Sequence, residues 1–233
     1  MADHPTPKRV CVLTSGNVRV IDPCTQILVK QLRAAGHAVD FHALFWDDSD
    51  LDAARAALGG LDSLTLWTTP RVNFAEDLSA YPKPPETVVH NFLSMAWSRI
   101  QLRRKLVDEG VFDRYGLFLF VRLDTCYGPV DFNNPGPILD YDGMAQLLGS
   151  VDVLMPLNGH WNDGWNDQFC AAGAHGMHVW LSLFDHVRGY LEEGVTLHPE
   201  TLLRHHLERH GARRGMINLV NYLWRSDTVF RVG

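Results

Sequence analysis

Within its first 45 residues the chain runs through strand, loop, helix and strand, and this order constrains the fold more than any other feature. Residues 9–14 are an apolar, β-rich run that breaks into Ser15, Gly16 and Asn17. Asp22 then offers a helix cap and Pro23 a first helical position, with Ile27, Leu28, Leu32 and Ala35 marking one face before Gly36. Residues 39–45 read as a second strand. Two strands joined through a helix lie parallel, and a parallel sheet needs cover on both faces. The expected class is α/β: a mixed, mostly parallel sheet flanked by helices.

Further along, Ser49 or Asp50 caps a short helix that Gly59 and Gly60 end, and residues 63–67 form another strand. Residues 68–86 are polar and proline-rich without a sustained period, which predicts a long surface loop. Leu93, Ala96, Trp97 and Ile100 open a helix that runs past Leu106 towards Gly110. Residues 115–121 are almost wholly apolar and suit a central strand. Residues 151–155 predict a short strand, and residues 156–176 a loop rich in Asn, Asp, Gly and Trp. Met177, Trp180, Leu181, Phe184, Val187 and Leu191 predict one amphipathic helix, Pro199 starts another that Gly211 ends, and residues 216–232 alternate as β. No repeat is present, so residues 1–233 are expected to form a single domain.

Composition removes several function classes. With a net charge of −6 the chain has no global basic field for a nucleic-acid backbone or an anionic membrane. Its four cysteines, Cys11, Cys24, Cys126 and Cys170, form no Cys-x-x-Cys pair, which argues against a zinc knuckle and a disulfide framework. No apolar run reaches the ~18 residues of a membrane span, and residues 1–9 lack a signal-peptide core. A cytoplasmic location is expected, with the inner face of a membrane and peripheral attachment to an assembly complex left open. Walker, Gly-x-Gly-x-x-Gly, Gly-x-Ser-x-Gly and His-Glu-x-x-His motifs are all missing.

Polar clusters stand just after the predicted strands, where open α/β sheets collect ligands. In Ser15-Gly16-Asn17-Val18-Arg19, Gly16 permits close backbone approach and Arg19 offers a forked cation for phosphate, or the segment is a solvated turn. In Arg122-Leu123-Asp124 a carboxylate emerges from a buried strand and needs a partner, either a divalent ion or Arg122 itself. Residues 161–169 place Asp163 and Asp167, the amides of Asn162, Asn166 and Gln168, and the indoles of Trp161 and Trp165 within nine positions. Indole faces stack on sugars while amides and carboxylates meet hydroxyls, although the same residues can build a turn over packed rings. His198-Pro199-Glu200 opens a helix, with His198 free to face a ligand or to cap. His206 and His210 share a helix face with no third ligand visible in the spacing, and are expected to be solvated.

Taken in order, Ser15-Gly16-Asn17-Val18-Arg19, the helix with Asn91, Ser94 and Met95, Arg122-Leu123-Asp124, Asn166-Asp167-Gln168-Phe169 and His198-Pro199-Glu200 resemble the GT-A fold nucleotide-sugar glycosyltransferases. The likeness is strongest to the small bacterial and viral sugar transferases of surface-polysaccharide assembly, and it spans nearly the whole chain. The resemblance implies a nucleotide-sugar donor lying across the strand ends, held by Ser15, Gly16, Asn17, Arg19, Ser94, Arg122 and Asp124. Asp124 matches the metal-binding Asp of Asp-x-Asp and His198 the histidine that completes the Mn2+ or Mg2+ site. Arg122 replaces the first Asp, and a guanidinium there can neutralise phosphate directly. Asp167 matches the acceptor-side carboxylate, the base in an inverting enzyme and an orienting group for acceptor or donor in a retaining one, with Asp163 as its substitute. Trp161, Trp165, Asn166 and Gln168 would meet a glycan or lipid-linked glycan acceptor.

The expected activity is therefore sugar transfer from a nucleotide-sugar. Two other readings compete: a noncatalytic carbohydrate-binding or scaffold domain on the same fold, and a nucleotidyltransferase, against which the missing Gly-rich, Lys-bearing phosphate loop counts.

Overall fold

The computed structural model describes residues 9–17, 23–58, 63–74, 78, 80–128 and 141–223. The chain opens with β1 (Arg9–Gly16), α1 (Pro23–Ala34), β2 (Ala38–Trp46), α2 (Leu51–Ala57) and β3 (Ser63–Thr69). It continues with α3 (Val89–Asp108), β4 (Leu117–Val121), β5 (Thr125–Gly128), α4 (Tyr141–Leu147), β6 (Val153–Pro156) and β7 (Phe169–Ala172). Then come α5 (Ala174–Trp180), a 3-10 turn (Leu183–His186), α6 (Val187–Glu192), α7 (Pro199–Arg209), β8 (Arg214–Ile217) and β9 (Val220–Leu223).

Seven strands form one sheet in the order β3-β2-β1-β4-β7-β6-β8, while β5 and β9 pair separately. The β3-β2, β2-β1, β1-β4 and β6-β8 pairs are parallel, and β7 runs antiparallel to both β4 and β6. This is the mixed, mostly parallel sheet that the βαβ opening implies. Its faces are set by strict alternation. Cys11 and Leu13 of β1 and Phe118 and Phe120 of β4 pack beneath α3 and α5–α7. Val10, Val12, Leu117, Leu119 and Val121 pack on the other face against α1, α2 and α4. Cys11 and Cys170 are buried free thiols. Among the described residues no helix is long and apolar enough to cross a membrane.

Two segments depart from the sequence reading. Residues 156–176, expected to be loop throughout, contain β7, a fully buried Phe-Cys-Ala-Ala strand in the middle of the sheet. The single helix expected over residues 177–191 is three pieces. Ser182 turns its hydroxyl onto the Val179 carbonyl (2.8 Å) and its amide onto the same oxygen (3.0 Å), so the chain tightens into the 3-10 turn before α6. The apolar spacing survives because a 3-10 turn still brings every third residue to the same side. The predicted β tail is real over β8 and β9, and its remainder lies outside the described residues.

The sheet order reverses between β1 and β4: β2 and β3 lie to one side of β1, and β4 to the other. Helices leave in opposite directions at such a point and open a crevice beyond the strand ends.

Candidate active site

A cavity of about 460 Å³ occupies that crevice. Its floor is the end of β1 (Thr14, Ser15, Gly16 and Asn17), Trp46 at the end of β2, and Phe120 of β4 with Arg122, Leu123 and Asp124 after it. The start of α3 and the residues before it form one wall. Asp167 and Gln168, together with His198, Pro199 and Glu200, close the opposite side. Val121 pairs with Phe169 in the antiparallel β4-β7 register, so the residues just before β7 necessarily stand beside those just after β4. That register brings two segments more than 40 residues apart to one site.

Gly16 has φ +111°, a backbone conformation that a side chain would strain, and it turns the chain out of β1 at the cavity floor. Ser98 donates to Met95 O (2.8 Å), so its 3.0 Å contact with Ser15 is a bond donated by Ser15, which ties β1 to α3. Arg71 donates to both carboxylate oxygens of Asp48 (2.8 and 3.0 Å) and to Asn17 Oδ1 (2.9 Å), and stacks on Trp46. One guanidinium thus joins the ends of three neighbouring strands.

Two arginine–aspartate pairs line the cavity. Arg122 donates Nε to Asp124 Oδ1 at 2.9 Å and Nη2 to Oδ2 at 2.8 Å, a parallel two-bond pair. Of the two partners the sequence allowed for Asp124, the guanidinium is present. Arg99 is the other cation. It projects from the buried face of α3, is 2% exposed, and lies over the rings of Trp180 (4.4 Å) and Phe120 (5.0 Å). Its Nη2 meets the Asp167 backbone carbonyl at 2.5 Å and Asp167 Oδ2 at 3.4 Å. Arg99 Nε and Nη1 have no hydrogen-bond partner among the described residues. The same holds for Ser94 Oγ, Thr87 Oγ1, His198 Nδ1 and Glu200 Oε2 on the same walls. Each such group costs about 1–3 kcal/mol when left unpaired, and all of them belong to residues that line the cavity.

Glu200 is 7% exposed, and burial together with the negative charge of Asp167 raises its pKa to about 8. His198 holds the N-cap position of α7 without making a capping side-chain bond. Its Nδ1 lies 3.1 Å from Glu200 Oε2, near enough for attraction yet outside hydrogen-bond geometry. Burial lowers the His198 pKa, against the pull of Glu86 and Asp167.

The cluster at residues 161–169 divides. Asp167 and Gln168 line the cavity, whereas Trp161, Asp163, Trp165 and Asn166 do not. Trp161 is 64% exposed, and Asp163 pairs with Arg204 at 2.9 Å on the surface. Trp165 lies under Arg214, with the guanidinium 4.5 Å from the ring. Asn166 is fully buried: it donates to Asn158 O (2.7 Å) and accepts from Gln168 N (2.8 Å) and Phe169 N (3.3 Å). It therefore shapes the turn into β7, the structural role the sequence left open for this segment. Gly164 anchors the loop, because a Cβ there would stand 2.2 Å from the Glu200 carbonyl carbon, and Trp165 N donates to Glu200 O at 2.9 Å. Ser15, Gly16, Asn17, Ser94, Arg122, Asp124 and His198 all reach the cavity, and Arg19 lies outside the described residues.

The residues that sequence reasoning missed are Arg71 and Arg99, and Glu200 was quoted without a role. Arg99 left a signal: it interrupts the α3 stripe of Phe92, Ala96, Leu102 and Leu106, all buried. A charge inside an apolar stripe needs a buried partner or a ligand.

Of the cation site implied by the resemblance, Asp124 and His198 both reach the cavity, and each Asp124 oxygen accepts a bond from Arg122, so an ion there would share the carboxylate with a guanidinium. Among the described residues, the only group of three His, Cys, Asp or Glu ligands gathered closely enough for an ion lies elsewhere.

No protein-family model and no curated protein matches the chain by sequence. Solved structures do resemble it. Mouse xyloside xylosyltransferase 1 is 10% identical, with a TM-score of 0.50 over 90% of this chain and 85% of that one. A glycosyltransferase involved in glycosylation of the major capsid of PBCV-1 is 12% identical, with a TM-score of 0.44 over 90% and 82%. The inositol-1-phosphate CTP transferase from T. maritima is 11% identical, with a TM-score of 0.46 over 97% and 94%. At such identities the likeness speaks to architecture alone: the chain has the GT-A-like α/β fold, with its cavity at the reversal of strand order.

Proposed function

We propose that the chain is a glycosyltransferase that moves a sugar from a nucleotide-sugar donor to a hydroxyl of a glycan or lipid-linked glycan, in surface-polysaccharide assembly. One juxtaposition carries the reading: Arg99, whose Nε and Nη1 have no partner among the described residues, lines the same cavity as Asp167 and Glu200. A cavity of this size suits a small ligand. A guanidinium in a dry wall suits a diphosphate, whose charge grows as it leaves. A carboxylate beside it, with Asp167 Oδ2 3.4 Å from Arg99 Nη2, suits a hydroxyl that must lose its proton.

In this reading Ser15, Gly16, Asn17 and Ser94 bind the donor, and Arg99 and Arg122 face the diphosphate. The acceptor oxygen attacks the anomeric carbon, and the bond from that carbon to the diphosphate oxygen breaks. The acceptor proton passes to Asp167. Glu200, protonated up to about pH 8, keeps two adjacent carboxyl groups from carrying two charges. Gln168 stands beside Asp167 to orient the acceptor.

Nucleoside diphosphates and nucleotide-sugars, each with and without Mn2+ or Mg2+, are the probes for a thermal-shift measurement. At a hundredfold its Kd, a ligand stabilises the fold by about 2.7 kcal/mol. The expected result is a shift with one nucleotide that the R99M variant loses, together with transfer that D167N abolishes. A shift requiring metal would reassign Asp124 from Arg122 to an ion. Absence of any nucleotide shift, with stabilisation by oligosaccharides instead, would overturn the reading in favour of a noncatalytic carbohydrate-binding domain.

A further inference from the structure

Three imidazoles converge at the far end of α7, away from the cavity. His186 closes the 3-10 turn, His206 lies in α7, and His210 follows it. The ring centroids are 5.1 Å (His186 to His206), 5.0 Å (His186 to His210) and 4.3 Å (His206 to His210) apart. One ring nitrogen from each lies within 4.8 Å of the others. None of the three lines the cavity. His206, expected to be solvated, is fully buried, and His186 is the third partner that the sequence spacing could not reveal.

The tautomers follow from the hydrogen bonds. Ser182 Oγ donates to Val179 O (2.8 Å), so at its 3.1 Å contact with His206 Nε2 it can only accept. His206 Nε2 therefore carries the proton and points it at Val179 O, 2.9 Å away. The lone pair is left on Nδ1, where the Tyr190 hydroxyl donates to it at 2.9 Å. His210 Nδ1 donates to the His206 carbonyl at 2.9 Å, which leaves the lone pair of its Nε2 uncommitted. His186 makes no side-chain hydrogen bond among the described residues. A histidine whose other nitrogen is fixed on a backbone carbonyl is the usual form of a metal ligand, because the carbonyl sets both tautomer and ring orientation. Two of the three have it.

We infer that His186, His206 and His210 form a three-histidine site for a divalent transition ion of the zinc class, completed by water in the fourth position. Imidazole nitrogens ~2.0–2.1 Å from a tetrahedral ion stand ~3.3 Å apart, with ring centroids roughly 5 Å apart. Two of the three centroid distances have that spacing and the third, His206 to His210 at 4.3 Å, is short of it by less than about 1 Å, so closure asks chiefly for side-chain rotation. An all-imidazole set selects Zn2+, Co2+, Ni2+ or Cu2+ over Mg2+ and Ca2+. Bound there, the ion would tie the 3-10 turn to α7, and it would compete with Tyr190 for His206 Nδ1. The inference stands apart from the sugar-transfer reading and survives its failure.

The test uses the 233-residue chain without an affinity tag, stripped with EDTA and titrated calorimetrically with Zn2+ and by visible absorption with Co2+. The expected result is a saturable equivalent with the absorption of four-coordinate Co2+, weakened at least tenfold in H186A and in H210A, and kept or tightened in Y190F. Circular dichroism and urea denaturation check that these variants are folded. No saturable binding, equal binding by H186A and H210A, or its loss in Y190F would overturn the inference.

Discussion

The Arg122–Asp124 and Arg99–Asp167 pairs stand on the same cavity, and they are built to opposite ends. Arg122 and Asp124 satisfy each other through two short bonds at the partly solvated end of β4. Arg99 and Asp167 are both almost fully buried, meet at only 3.4 Å between side chains, and leave two guanidinium nitrogens unspent. Arg122 spends Nε and Nη2 on its partner, whereas Arg99 keeps Nε and Nη1 without a partner among the described residues. The difference teaches that proximity of Arg to Asp says little about role, and the count of uncommitted donors says much.

Substitution at Arg99 gives the sharpest break in this comparison. R99M strands the Asp167 carboxylate in a buried wall, and an unmatched buried charge costs about 3–5 kcal/mol. Urea denaturation should show that loss together with loss of the nucleotide shift. A variant as stable as the parent would remove the distinction between the pairs.

Next in size is the pH dependence set by Glu200. Its folded pKa is raised, from an ordinary 4.5 to about 8, so the native state holds the proton longer than the unfolded chain. Its contribution to stability is therefore complete below pH 4.5, declines as pH rises, and is gone above about pH 8. Denaturation across that window should show the decline in the parent, and E200Q should flatten it. An unchanged slope in E200Q would mean that Asp167 and Glu200 do not share their charge.

D124N should cost about 1 kcal/mol, the scale of a partly solvated ion pair whose partner can turn to water. A loss matching R99M would show that the Arg122–Asp124 pair, and not Arg99–Asp167, holds the site together. D163N should leave the melting temperature and the nucleotide shift unchanged, because Asp163 stands on the surface facing Arg204. Loss of transfer in D163N would return the acceptor-side role to that residue.

The parallel half of the molecule was legible because its signals are local: the run into Ser15-Gly16, the Asp22-Pro23 start and the apolar β4. The antiparallel half was not. Phe-Cys-Ala-Ala at β7 has little intrinsic strand preference, and its place between β4 and β6 comes from tertiary pairing. The site divides in the same way. Ser15, Asp124, Asp167 and His198 announce themselves by standing next to turns. Arg99 sits mid-helix a turn before Arg103, Arg104 and Lys105, so only its phase within the α3 stripe distinguishes it. Trp161 and Trp165 mislead for the converse reason: composition favoured a sugar platform, yet the left-handed turn at Asn162 and Asp163 (φ 48° and 55°) directs the chain over α7 and away from the cavity.

Gly164 divides that turn into a part free to drift and a part that is not. Its absent side chain lets the loop rest on the backbone of Glu200, and every larger residue would push there first. Evolution can therefore redecorate position 161 at little risk, while positions 162 and 163 stay with residues that accept a left-handed backbone and position 164 stays glycine. A library randomised at position 161 would sample new surface chemistry with the carboxyl groups undisturbed, whereas one extended to Gly164 would move them.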